Sequence, residues 1–368
     1  MLGVACSSSK PAKPVKHDAA LVVSIDAPVA PAVDAPAKKL FVHGAGRCGE
    51  CHEKMYDEWE VSAHAKAATS ARYKASLVAA NDPGCVHCHV PLEDALPHDI
   101  LATEGVTCDV CHTLRDPVPG KDGGTYTLAI DDMVKYGPRC DLKDHYFHRM
   151  GCSPVHAQGE ICGACHWWEP KGVPVFTEYA DWKAGPQAKK PCQTCHMPGE
   201  NALIATGSPK RTGVPHHGLF GKDGQLRKRA LKLEVTAKGT EVTVSLTNTG
   251  AGHAVPAGLP ERRIVVTVTA LDASGGEVGH DSRELGRVLV DASGAEVPFW
   301  KATKVGSDTR IAPGATWKET FTIPAAAQVQ VDVVHRELSA VGAKALGAPG
   351  SGDVEDIPMA SAKVRVRS

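Results

Sequence analysis

This chain of 368 residues carries almost no net charge, with 41 Lys and Arg against 42 Asp and Glu, or −1 at pH 7. That balance lacks the basic excess of a partner for nucleic acid or an acidic membrane surface. No apolar stretch is long enough to span a bilayer. Aromatic residues are scarce, at 5% within a hydrophobic share of 42%. The length allows two or three domains. A full signal peptide is also missing from the start, Met1-Leu-Gly-Val-Ala-Cys6-Ser-Ser-Ser. What stands there reads as the tail of a bacterial lipoprotein signal: small apolar residues, then Cys, then serines. Gly3 stands where Leu is usual, and the basic and long apolar regions are absent. The expectation is a truncated start, with Cys6 lipidated as the first mature residue and anchoring the protein to a membrane.

Cysteine is what the chain does have. Ten of its 13 cysteines fall in five copies of one pattern, C-x-x-C-H. The copies are Cys48-Gly-Glu-Cys51-His52, Cys85-Val-His-Cys88-His89, Cys108-Asp-Val-Cys111-His112, Cys162-Gly-Ala-Cys165-His166 and Cys192-Gln-Thr-Cys195-His196. Composition alone gives about 0.02 chance matches, so the pattern is not accidental. Two residues between the thiols match the two vinyl groups of a haem, and the next residue falls under the iron. Zinc also uses C-x-x-C but requires no His directly after each second Cys. The motifs therefore predict five covalently bound haem c groups, with His52, His89, His112, His166 and His196 as proximal ligands. Haem attachment of this type happens outside the cytoplasm. The expected location is the periplasm or outer surface of a bacterium.

Three regions follow. Residues 1–39 hold the lipoprotein tail and a Pro/Ala-rich linker. Residues 40–226 hold the motifs. About 30 residues per haem cannot build a separate core, so short helices and loops should wrap stacked porphyrins. One helix is readable, from near His52 past His64, with Met55, Tyr56, Trp59 and Ala63 on one face. His52 and His64, roughly 18 Å apart on such a helix, cannot share an iron, so His64 should serve a neighbouring haem. Residues 227–368 alternate with period two. The candidate strands are 231–235, 242–246, 264–271, 286–290, 320–324, 329–334 and 362–366. About seven short antiparallel strands predict an all-β immunoglobulin-like sandwich. The fold class is thus α+β and multidomain.

Thirteen further histidines could supply sixth ligands. His64 leads, followed by His217 with His216 beside it, then His253, His148 and His156. His145 rivals His148 at i, i+3; His98 is a weaker candidate; His87 reads as a bystander, and His280 and His335 as surface positions. Cys140 and Cys152 remain for a disulfide in an oxidising compartment.

The segment Cys48-x-x-Cys-His52 with Tyr56, Trp59 and Ser62-Ala-His64-Ala resembles the opening of the c-554-like multihaem cytochromes. Glu104-Gly-Val-Thr-Cys-Asp-Val-Cys-His112 and Cys192-Gln-Thr-Cys-His-Met-Pro198 resemble later segments of that group. Asn248-Thr-Gly-Ala-Gly-His-Ala-Val-Pro-Ala-Gly258 resembles the sandwich appended in many bacterial cytochrome c proteins. The resemblance implies electron transfer through mostly bis-His haems and carries His64 over as a distal ligand. The best-known relatives carry four haems, and this chain has five motifs. An electron carrier between a redox donor and a redox acceptor protein is the expectation. The alternative is a multihaem oxidoreductase with one open haem, acting on a small nitrogen or sulfur compound. No C-x-x-C-K occurs to mark such a haem.

Overall fold

The computed structural model describes residues 42–367, except 94, 97–99, 131–132, 220–223 and 347–355. Cys6, the linker and His98 lie outside the described residues.

The motif-bearing half is mixed α/β with short elements. Helices of four to ten residues carry the motifs or brace them. They include Ala45–Gly49, Ala71–Ala80, Val86–His89, Cys108–Thr113, Glu160–Gly163 and Cys192–His196. Ser70 caps the longest of these by accepting from the backbone N of Tyr73, and Asn81 ends it in the left-handed region at φ +49°. The helix expected to run past His64 is shorter and spans Glu53–Glu60. Beyond it the chain tightens into turns. Ser62 Oγ accepts from Ala65 N, and the His64 carbonyl takes both Ala67 N and Val106 N. Those local acceptors replace the helical ladder.

Three two-stranded sheets in this half had no sequence signal. Leu114–Val118 pairs with Thr125–Leu128 and Gly199–Leu203 with Lys210–Pro215, both antiparallel. Val134–Gly137 pairs with Arg149–Cys152 in parallel. Cys140 and Cys152 form a disulfide with Cα atoms 4.7 Å apart, closing the loop between the parallel strands.

From Leu231 the regular elements are mostly strands. One sheet has four strands, in the order Glu277–Leu285, Arg263–Leu271, Gln328–Arg336, Ile357–Arg365; a second has three, Thr316–Thr322, Glu241–Asn248, Leu231–Lys238. Arg287–Val290 pairs separately with Lys304–Asp308. Alternation explains the burial. Val242, Val244 and Leu246 are fully buried, as are Val329, Val331 and Val333 from the other sheet. With Ile264, Val266, Val268, Ala270 and Phe321 they share one core. Each such side chain contributes roughly 1.5–3 kcal/mol. His335 corrects its sequence reading. It points into this body at 4% exposure, because residues 329, 331, 333 and 335 share one face of their strand.

The two halves are bolted together by arginines. Arg287 donates to the Pro174 carbonyl and to Thr177, and Arg310 to Thr177 and Asp181. Arg72, from the helix Ala71–Ala80, donates to Glu337 beyond the Gln328–Arg336 strand at 3.2 Å.

Candidate functional site

Each motif histidine enters its site from the end of a short helix or the turn just after one, so the preceding Cys pair and the ring stay on one side. The ring nitrogen nearest the backbone is repeatedly tied down. His52 Nδ1 meets the Ile204 carbonyl at 2.7 Å, His112 Nδ1 the Tyr136 carbonyl at 2.6 Å and His89 Nδ1 the Ala67 carbonyl at 3.1 Å. Donating Nδ1–H this way fixes the tautomer and leaves Nε2 as a neutral ligand atom. Burial pushes His89 and His196 down to about 4, so both rings stay neutral at neutral pH.

Iron held between two imidazole nitrogens at about 2 Å each, with each ring centre about 1.1 Å behind its nitrogen, needs centroids roughly 6.2 Å apart. Four motif histidines have a second imidazole at that spacing. His52 faces His148 at 6.2 Å and His166 faces His64 at 6.2 Å. His112 faces His217 at 6.3 Å and His196 faces His253 at 6.3 Å. Two of the facing rings are also held neutral, His64 driven to about 3 and His217 to about 4, in both cases by burial first. The residues present therefore fit haem c.

His156 lies 6.0 Å from His112 as well. Its Nε2 is engaged 2.8 Å from the Cys111 carbonyl, on the chain just before His112. That bond occupies its Nε2, so His217 is the better match. Sequence spacing gave no way to separate the two. Nor did it show that His64 would meet His166, which is 102 positions away. His89 differs from the other four. Among the described residues, no second imidazole faces it at this spacing. Tyr73 stacks on it at 4.6 Å, too close for an iron between them. Tyr73 and Cys85 pack with Val173, Val175, Phe176, Leu259, Leu289 and Phe299 in an apolar cluster.

The motifs also abut. The Cys48 thiol contacts that of Cys108, Cys88 contacts Cys165, and Cys162 contacts Cys192. The first site therefore adjoins the third, and the fourth adjoins both the second and the fifth. Elsewhere, Glu58, Glu200 and His216 bring three ligand-type atoms within 4.8 Å of one another. Lys54 already bridges the two carboxylates there, 2.8 Å from Glu200.

Residues 47–113 match the family described as cytochrome c554 and c-prime. The cytochrome c-554 of Nitrosomonas europaea is 31% identical over 162 residues, covering 37% of this chain and 59% of that protein. The match thus spans about 59% of that curated relative. The solved structure of a penta-heme cytochrome c552 from Thermochromatium tepidum superposes with a TM-score of 0.72 at 24% identity, over 88% of this chain and 99% of that one. At that identity the likeness speaks for the fold. No helix among the described residues is long and apolar enough to cross a membrane. The family match, the c-554 relative and the superposed structure, set beside the five motifs and the ring pairs, support a multihaem c-type cytochrome.

Proposed function

We propose that the chain is an extracytoplasmic electron-transfer protein with five haems c, one per motif. Thioethers form at Cys48 and Cys51, Cys85 and Cys88, Cys108 and Cys111, Cys162 and Cys165, and Cys192 and Cys195. Bound haem would supply a one-electron iron couple. The carrying observation is the set of four imidazole pairs at 6.2–6.3 Å. Two imidazoles on an iron leave no substrate position and give a lower potential than Met/His ligation. The contacts between motif thiols favour two linked groups, the first site with the third and the fourth with the second and fifth, and Cys111 of the third lies near enough to Cys162 and Cys165 of the fourth to join the two. The two large sheets read as a sandwich of immunoglobulin-like type, and this body has a redox task, because His253 reaches from it to the fifth site. A donor and an acceptor protein complete the reading, as does anchoring through a lipidated Cys6.

A second reading concerns His89 alone. With no imidazole opposite it among the described residues and an apolar wall beside it, this site favours an iron open to a small ligand. A multihaem oxidoreductase acting on a small nitrogen or sulfur compound would use that face. Intact-mass analysis and cyanide titration of the ferric protein test both readings. The expected result is five haem increments per chain and one cyanide bound per chain. Four increments would sink the first reading, and no bound cyanide would sink the second.

A further inference from the structure

We infer that the Nε–Nη2 edge of Arg262 is a receptor for a planar carboxylate or a like-shaped oxyanion. Two sources share that chemistry: a propionate of the haem on Cys162 and Cys165, or a free small anion reaching the open His89 side. The inference rests on the proposed haem at the fourth motif.

The argument starts from how Arg262 is buried. It is only 8% exposed, and neither Nε nor Nη2 has a hydrogen-bond partner. Its third nitrogen is used, since Nη1 donates to the Ala257 carbonyl at 2.9 Å. The free edge is the side of a guanidinium that grips a carboxylate with two parallel bonds. Buried donors left unserved cost their full desolvation, so a protein that keeps two of them on one edge has a ligand for them.

Glu337 does not fill that role. It sits 3.4 Å from Nη2, outside hydrogen-bonding geometry. Its oxygens instead take hydrogen bonds from Arg72 at 3.2 Å and Arg227 at 2.8 Å. Three guanidiniums thus converge on one buried carboxylate, and that carboxylate bonds to the other two.

The position of Arg262 points to the fourth haem. Tyr179 N donates to the His166 carbonyl at 3.2 Å. Its neighbour Glu178 accepts from Gly258 N. Gly258, at φ +89°, is where a Cβ would collide with Arg262 Nη1, so glycine there lets the arginine fold back toward this loop. The second motif is next door, through Cys88 against Cys165 and through Arg72 beside Tyr73.

The test compares Arg262→Gln and Arg262→Lys with the parent holoprotein. Haem content is measured first by intact mass. Fewer than five haems in the parent overturns the functional reading, a result distinct from failure of the present one. Midpoint potentials are then titrated spectroelectrochemically with and without sodium formate. A cation beside a haem favours the ferrous form, which carries one positive charge less. Arg262→Gln should lower one midpoint by about 59 mV, a tenfold change in the reduced-to-oxidised ratio. Arg262→Lys, which keeps the charge but not the fork, should fall between. If Arg262→Gln lowers a midpoint while formate leaves every midpoint of the parent unmoved, the ligand is the propionate. If formate shifts the parent but not Arg262→Gln, the ligand is a free anion. Midpoints in Arg262→Gln that equal the parent's under both conditions, at full haem content, overturn the inference. If Arg262→Gln loads incompletely, Arg262→Lys alone decides it by the same comparison.

Discussion

His148, the proposed distal ligand of the first haem, rides on a loop that a disulfide closes, and cutting that disulfide should loosen it by an amount that loop length sets. Cys140 and Cys152 are 12 positions apart. His148 lies between them, directly before the strand Arg149–Cys152. It faces His52 at 6.2 Å. The loop is also tied by Met150 N on Asp144 at 2.8 Å, His145 N on the His148 carbonyl at 3.0 Å, Arg149 N on the Met133 carbonyl at 2.7 Å, Arg139 on the Thr212 carbonyl at 3.1 Å and Arg211 on Asp141. Closing a loop of this length removes about 3 kcal/mol of chain entropy from its open state. Losing the bond therefore favours opening by about 3 kcal/mol, on the order of a hundredfold in population at about 1.4 kcal/mol per decade. The assay is the rate at which cyanide binds the ferric first haem in Cys140→Ser/Cys152→Ser. If opening limits access, that rate should rise on the order of a hundredfold, by the same 3 kcal/mol, while the other capped haems are unaffected. A rate within twofold of the parent would refute the idea that the loop restrains His148.

Other outcomes follow from the same geometry. Glu337→Gln leaves Arg72, Arg227 and Arg262 without their buried carboxylate and should cost about 3–5 kcal/mol in chemical unfolding followed by far-UV circular dichroism; a loss below 1 kcal/mol would contradict the arginine cluster. His253→Ala should open the fifth haem and add one high-spin signal, whereas His156→Ala should add none, because its Nε2 is held on the Cys111 carbonyl. A new high-spin haem in His156→Ala would reverse the choice of His217. Burial, with Arg262 and Arg227 nearby and Glu337 opposing, drives His335 down to about 3 from 6.5. Folded His335 stays neutral while the unfolded chain takes up a proton, so its contribution is full above pH 6.5 and is lost as pH falls toward 3. Stability should drop by at most about 1.4 kcal/mol per pH unit over that window. Glu337, also depressed, adds acid sensitivity only below its ordinary value of 4.5. Unfolding midpoints of His335→Gln should therefore be flatter than the parent's between pH 6.5 and 4.5, and an unchanged slope would exclude His335 as the source.

What could be read from the sequence was whatever chemistry writes locally. Thioether attachment demands two thiols and a His within five residues, so all five motifs were plain. Strands that bury one face alternate, and 231–238, 241–248, 263–271 and 328–336 showed it. Glu277–Leu285 escaped notice because it is an edge strand, mostly exposed and rich in charge, with Gly279 within it. Lys304–Asp308 is likewise nearly all exposed. The ligand pairs were only half legible. His64, His148, His217 and His253 could be named as candidates, but which ring each would face depends on contacts between distant segments. His335 looked like a surface residue because one histidine on a strand does not reveal its face until the register is fixed. Arg262 gave no local signal at all, since its open edge exists only once Arg72 and Arg227 have met Glu337.

The most direct test of the account is the electron paramagnetic resonance spectrum of the fully ferric holoprotein, with haem quantified on the same sample. The ring pairs His52/His148, His64/His166, His112/His217 and His196/His253 predict at least four low-spin haems, and the proposed open site at His89 adds one high-spin haem. Two or more high-spin haems per chain would contradict the ligand pairs, and five low-spin haems would contradict the open site at His89.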